Sequence, residues 1–332
     1  MRTLAIPAFV EFEDHSLEGI KAFFRDISYH KNPRRVTAVG RLLLKNFVLG
    51  TLVARQSVVR YLTRHPQVIE ENPISKPVFI IGLPRTGSTF LQGLLAQDPD
   101  ARHMRMWEAN IPTPPPRKET YETDPRCQMI EKGLQSAKIV DPEYMSGLRK
   151  YHYVSGETAE EDLMLFHHSM FFFGQYYLCG DGEYRNWFFS QTNKAYCYRY
   201  IRRFLQVISA NYHPTSHFVL KAPVHTLFVD SLIREFPDAR VIVTHRDPGP
   251  IVVSWSQFQA QLLNIHTSLM GDNSLAYVKE TFTMLQEMCK RLMTFRKTVD
   301  FSSLLFFFFF SHLPSTLFIF SPLAASQPFA IL

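Results

Sequence analysis

The segment Gly82-Leu-Pro-Arg-Thr-Gly-Ser-Thr89 crowds an arginine, two glycines and three hydroxyls into one short stretch. It has the outline of a phosphate-cradling loop, G-x4-G-[K]-[ST], except that Ser88 stands where the lysine belongs. Backbone N–H groups of such a loop, and of the helix behind it, converge on an anion with the helix dipole in support. Arg85, Thr86, Gly87, Ser88 and Thr89 are therefore the candidate anion-binding residues. The missing lysine disfavours nucleoside triphosphate hydrolysis, and Arg85 offers a cation from a different place in the loop. A second segment, Val243-Thr-His-Arg-Asp-Pro-Gly-Pro-Ile-Val-Val-Ser254, sets Arg246 and Ser254 eight residues apart. At that spacing a guanidinium and a hydroxyl can reach one phosphate from two sides, the arginine in bidentate fashion. The two segments together point to a ligand with two separated anionic groups.

Chemistry of this kind needs strands to carry the loops and helices to back them. Pro77-Val-Phe-Ile-Ile-Gly82 is a short apolar, β-branched run that suits a buried parallel strand, and a helix is predicted over Thr89–Gln97. The alternation resumes with strand His217–Lys221, helix Thr226–Phe236, strand Ala239–Thr244 and helix Ile251–Leu263. Strands separated by helices of this length imply right-handed crossovers and a parallel sheet. The expected class is α/β, a P-loop-type parallel sheet flanked by helices with an N-terminal helical extension. That extension is placed over residues 1–72, the main domain over 73–300, and a low-complexity apolar tail over 301–332. The tail has no Asp, Glu, Lys or Arg and runs five phenylalanines together, Phe306 to Phe310.

Composition narrows the field. With 332 residues, 46% hydrophobic and 20% charged, the chain is too apolar for general disorder and long enough for a sizeable core. Cys127, Cys179, Cys197 and Cys289 are scattered without a CxxC pair, which argues against a zinc cluster or disulfide framework and for a reducing, cytoplasmic location. The net charge of +6 reads as ordinary solvated surface. The apolar run Leu4–Val10 meets acids at once, so no secretory leader is expected. Leu42–Leu62, interrupted by Lys45, Arg55 and Arg60, reads as an amphipathic helix and not a membrane span. Membrane contact by the tail is disfavoured because His312 and Pro314 break it before a span accumulates. His167-His168 lacks a third ligand and reads as part of an aromatic helix, and Phe171–Phe173 with Tyr176 and Tyr177 reads as core. The acidic run Glu157, Glu160, Glu161 and Asp162 reads as a solvated helix face, with the lining of an acceptor pocket as the alternative.

The loop Pro84-Arg-Thr-Gly-Ser-Thr89 and the Arg246…Ser254 pair resemble the 5′-phosphosulfate loop and 3′-phosphate motif of the sulfotransferase superfamily. The loop is similar to the arginine version seen in bacterial-type and tyrosylprotein sulfotransferases. The resemblance covers about residues 76 to 260. It implies transfer of a sulfuryl group from 3′-phosphoadenosine 5′-phosphosulfate (PAPS) to a small-molecule hydroxyl acceptor, leaving PAP, without a metal and without nucleic acid as partner. Leu220-Lys-Ala-Pro-Val-His225 resembles the segment that supplies the family's catalytic lysine, which implies that role for Lys221 alongside Arg85. Glu108, in Trp107-Glu-Ala-Asn110, is the first candidate for general base. His225 is the rival, four residues after the lysine where cytosolic relatives have a histidine two residues on. The family's chain normally continues past the 3′-phosphate motif with further nucleotide contacts, whereas recognisable domain sequence here stops near Asp300. Two other readings are kept open: a catalytically silent nucleotide-binding or interaction protein on a truncated sulfotransferase fold, and a P-loop small-molecule kinase.

Overall fold

A computed structural model of the chain describes residues 14–28, 36–140, 146–147, 150, 152–191, 193–267 and 274–298, with the backbone of 304–308 and 318–320. The leader reading on Leu4–Val10 and the break at His312 and Pro314 lie outside the described residues.

Four parallel strands form the centre: β1 (Val78–Gly82), β2 (Ala101–His103), β3 (His217–Lys221) and β4 (Arg240–His245), in the order β2-β3-β1-β4. Every residue of β1 is buried, as an apolar run covered on both faces must be. Its register sets Ile80 beside Lys221 of β3 and Gly82 beside Thr244 of β4. The loops leaving β1, β3 and β4 therefore open at one edge of the sheet, side by side. Two further strands, β5 (Leu304–Phe308, parallel to β4) and β6 (Phe318–Phe320, antiparallel), extend the sheet beyond β4. The segment expected to be an apolar tail over 301–332 thus enters the sheet at these two places.

The N-terminal region is helical: α1 (Asp14–Ser28), α2 (Ala38–Arg64) and the single turn α3 (Val68–Glu71). Helix α2 is long and apolar enough to cross a membrane by composition alone. It nevertheless turns Leu44, Val48, Ala54, Val58 and Leu62, recurring at helical spacing, into the protein. Thr37 caps it, its Oγ1 accepting the Gly40 N–H at 2.9 Å.

Helix α4 (Ser88–Leu95) follows β1, and α5 (Met106–Asn110) and α6 (Pro125–Val140) follow β2. The aromatic-rich middle supplies α7 (Leu163–His168), α8 (Glu183–Ser190) and α9 (Ala195–Ser209). Phe171, Phe172, Phe173, Tyr176 and Tyr177 are fully buried, with Phe171 stacked on Phe188 at 4.5 Å between ring centroids. These rings are core, and burying each contributes roughly 1.5–3 kcal/mol. A 3-10 turn (Pro223–Leu227) and α10 (Val229–Glu235) follow β3; α11 (Pro248–Leu263) and α12 (Ser274–Arg296) follow β4 and pack on each other.

Candidate active site

The loop after β1 is built from conformations that few side chains tolerate. Gly82 has φ +136°, and a Cβ there would come within 2.4 Å of the Thr244 carbonyl oxygen. Gly87, at φ +83°, sits at the N-cap of α4 and turns the chain into the helix. Arg85 lies between them at φ +65°, a left-handed conformation that costs a non-glycine residue of order 1–3 kcal/mol and persists only where neighbours hold it. They do so from the 3-10 turn after β3 and from β4. Thr226 Oγ1 accepts the Gly82 N–H and donates to the Gly82 carbonyl, each at 2.9 Å. Thr86 Oγ1 donates to the Leu83 carbonyl at 2.8 Å and lies 2.6 Å from Thr244 Oγ1.

Arginine 85 is gripped twice. Its Nε donates to Ser254 Oγ at 3.1 Å, and its carbonyl accepts from an Arg246 terminal nitrogen at 3.1 Å. The Arg85 guanidinium stands 5.9 Å from the centre of the Phe258 ring. Arg246 enters from the turn after β4, where Asp247 caps α11 by accepting the Gly249 N–H at 3.0 Å, and Ser254 lies in the second turn of that helix. Arg85 of the first motif thus contacts both Arg246 and Ser254 of the second. Arg246 Nε is buried without a hydrogen-bond partner, a polar group that an anionic ligand would satisfy. Ser254 Oγ can still donate to a phosphate oxygen while accepting from Arg85.

Lysine 221 ends β3 and is 1% exposed. Its Nζ donates to Thr89 Oγ1, in the first turn of α4, at 3.1 Å and forms an ion pair with Glu161. A buried ammonium requires such partners, because desolvating an unpaired charge is prohibitive. Glu161 is therefore a residue of the site. The acidic run around it is the solvated face expected of it only at Glu157, which is exposed: Glu160 and Asp162 are buried, and Glu160, Glu161 and Asp162 each have their own partner. Glu160 accepts the Glu161 N–H at 2.9 Å and lies 3.9 Å from His152 Nε2, while Asp162 pairs with His225. The pKa of His152 is raised: burial pulls it down, but the Glu160 contact and the Glu161 charge outweigh this. The His152 and Phe258 rings lie 6.3 Å apart, so this histidine neighbours the same ring as the Arg85 guanidinium. Gln92 of α4 donates to the Glu160 carbonyl at 3.1 Å, anchoring the acidic run to the loop's own helix.

Both base candidates from the sequence are fully buried and hydrogen-bonded to other groups. Glu108 is fully buried at the start of α5. Its Oε1 accepts from the buried Arg102, and its Oε2 accepts the Arg105 N–H at 2.8 Å and the Tyr121 hydroxyl at 2.7 Å. Burial first, and then the Glu108 charge, push the Tyr121 pKa well up, so this hydroxyl stays a donor. Both carboxylate oxygens are consumed in joining β2 to α5. His225 is likewise fully buried, with Nε2 2.6 Å from Asp162 and Nδ1 2.9 Å from the Tyr198 hydroxyl. Sequence reasoning named Glu161 only within the acidic run and passed over its pairing. The one available signal was the run of carboxylates in an otherwise aromatic segment. Among the described residues, no group of three or more His, Cys, Asp or Glu is placed to hold a metal ion.

Known proteins support this architecture. The structure is similar to the crystal structure of sulfotransferase STF1 from Mycobacterium tuberculosis, with TM-score 0.77 and 24% identity over 92% of this chain and 80% of that one. It is similar also to sulfotransferase STF9 from Mycobacterium avium, with TM-score 0.77 and 26% identity over 89% of this chain and 73% of that one. No curated protein matches the sequence. The model of the sulfotransferase family matches residues 77–305, which span the four central strands, the loop after β1, Lys221, Arg246 and Ser254. The chain belongs to the sulfotransferase family.

Proposed function

We propose that this chain transfers the sulfuryl group of PAPS to the hydroxyl of a small-molecule acceptor, releasing PAP. The observation that carries the proposal is Lys221, which joins the anion-binding loop at Thr89 to the carboxylate of Glu161. Cation and carboxylate in contact at the mouth of an anion loop provide the two functions that sulfuryl transfer requires. PAPS would supply an activated S–O bond and a phosphate leaving group.

The loop amides, Thr86, Gly87, Ser88 and Thr89 hold the 5′ end of the donor, and Arg246 with Ser254 holds its 3′-phosphate. Arg85 and Lys221 stabilise charge developing on the bridging oxygen and the sulfuryl oxygens. A sulfuryl group carries less negative charge than a phosphoryl group, so fixed cations suffice where phosphoryl transfer relies on magnesium. Glu161, 19% exposed at its side chain, accepts the acceptor's proton as its oxygen forms the new S–O bond and the bond to the leaving phosphate breaks. Glu161 replaces Glu108 and His225 as base in this reading, because their polar atoms are spent on buried neighbours. The test is PAP release from PAPS across a panel of phenols and alcohols, comparing wild type with Glu161→Gln. Acceptor-dependent release that the substitution removes supports the proposal. Release that is indifferent to acceptor and substitution overturns it.

A further inference from the structure

We infer that the buried chain Asp162–His225–Tyr198 is a positioning device that fixes Glu161 against Lys221. This inference rests on the role given to Glu161 above. All three residues are fully buried, and they come from three elements: the turn before α7, the 3-10 turn after β3, and α9. Asp162 Oδ2 lies 2.6 Å from His225 Nε2, and His225 Nδ1 lies 2.9 Å from the Tyr198 hydroxyl. A carboxylate oxygen accepts, so Nε2–H of His225 donates to Asp162, and Nδ1 and the Tyr198 hydroxyl complete the chain.

The connectivity gives this chain its purpose. Asp162 follows Glu161 directly, and His225 lies four residues after Lys221. The pairs Glu161–Lys221 and Asp162–His225 are thus two rungs between the same two segments, one at the site and one buried behind it. The buried rung is stiff. Phe79 and Phe166 meet the His225 ring edge to face at 5.1 and 5.5 Å, so the imidazole cannot turn without opening the core. Asp162 also forgoes a local alternative. It occupies the N-cap of α7, where an aspartate ordinarily accepts from the first helical amides, yet its side chain makes no capping bond. Its second oxygen, Oδ1, has no hydrogen-bond partner, so among the described residues His225 alone restrains this carboxylate.

The test reads PAP affinity by calorimetry and so needs no acceptor. Glu161 competes with any phosphate for Lys221, and Glu161→Gln should tighten PAP binding about five- to tenfold. Asp162→Asn, which loosens Glu161 from Lys221, should tighten PAP about two- to fivefold. The double variant should match Glu161→Gln alone, because residues acting through one group do not add. Tyr198→Phe, which removes a single hydroxyl, should shift affinity the same way by a smaller factor and serves if Asp162→Asn does not fold. A merely structural role would weaken binding or leave it unchanged. The inference is overturned if folded Asp162→Asn or Tyr198→Phe binds PAP no tighter than wild type while Glu161→Gln does, or if the double variant adds the two effects. If Glu161→Gln itself leaves PAP affinity unchanged, the role assigned to Glu161 fails first.

Discussion

The guanidinium of Arg246 donates to the backbone carbonyl of Arg85 at 3.1 Å, although the two residues are 161 positions apart. The turn after β4 thereby holds the turn after β1 in its left-handed conformation. Ser254 then takes the Arg85 side chain, so the second motif secures the first one before any ligand is involved. Arg246→Ala should accordingly do more than remove a phosphate contact. PAP affinity should fall about 10- to 100-fold, the scale of one lost charge-assisted pair. Adenosine 5′-phosphosulfate, which lacks the 3′-phosphate, should lose less, but not nothing, because the loop also relaxes. Calorimetry with both ligands checks this, and an unchanged PAP affinity would remove Arg246 from the site.

Glu161→Gln should lower the rate of transfer by about 10²–10⁴, the usual contribution of a general base, without raising KM for PAPS. Steady-state kinetics with a phenolic acceptor measures both constants. A large rise in KM at constant kcat would instead mark Glu161 as a binding residue.

Glu108→Gln should behave as a stability variant. The substitution leaves buried Arg102 without its counter-charge, a change that costs about 3–5 kcal/mol. The urea midpoint should drop accordingly, while PAP affinity of the remaining folded protein stays near wild type. Normal stability with abolished transfer would restore Glu108 as base.

Histidines 167 and 168 are fully buried in α7, and burial lowers the pKa of each from 6.5 to about 3. Between those limits the unfolded chain takes up protons that the native chain refuses, so stability falls as pH falls. Each histidine contributes a slope of about 1.4 kcal/mol per pH unit within the window, and nothing above about pH 7. Neither ring nitrogen of His167 has a hydrogen-bond partner, and its ring packs on Phe47 and Phe172. His167→Phe should therefore flatten the loss of stability between pH 6.5 and 5, as read from urea midpoints. An unaltered pH slope would contradict this.

Much of this arrangement could be read from the chain itself. Strands β1 and β4 announce themselves as apolar, β-branched runs and β3 by its apolar Phe218–Leu220 centre, and the loops after β1 and β4 carry chemistry at sequence-local spacing. The Arg85 loop and the Arg246 and Ser254 pair were legible for that reason, and Lys221 through the resemblance its segment carries. Strand β2 was not, since three residues with Arg102 at the centre show no apolar alternation. Glu108 was named as base on the family resemblance, which carries no information on its neighbours in space. Only the fold brings Arg102 and Tyr121 onto its two oxygens. Glu161 entered only as one of an acidic run for the converse reason: its partner Lys221 is 60 residues away, and such carboxylates read as surface until Glu160, Glu161 and Asp162 are seen to be paired. The phenylalanine-rich end read as a low-complexity tail by composition, yet Leu304–Phe308 adds a parallel strand beside β4.

The central claim is that the loop after β1, Lys221 and Arg246 form a site for PAPS, and equilibrium titration of the chain with PAP tests it most directly. Magnesium-ATP is titrated in parallel, and Arg246→Ala serves as control. Saturable PAP binding that the substitution weakens, with magnesium-ATP bound far less tightly, is the expected result. A folded chain that does not bind PAP, or that prefers magnesium-ATP, would contradict the account.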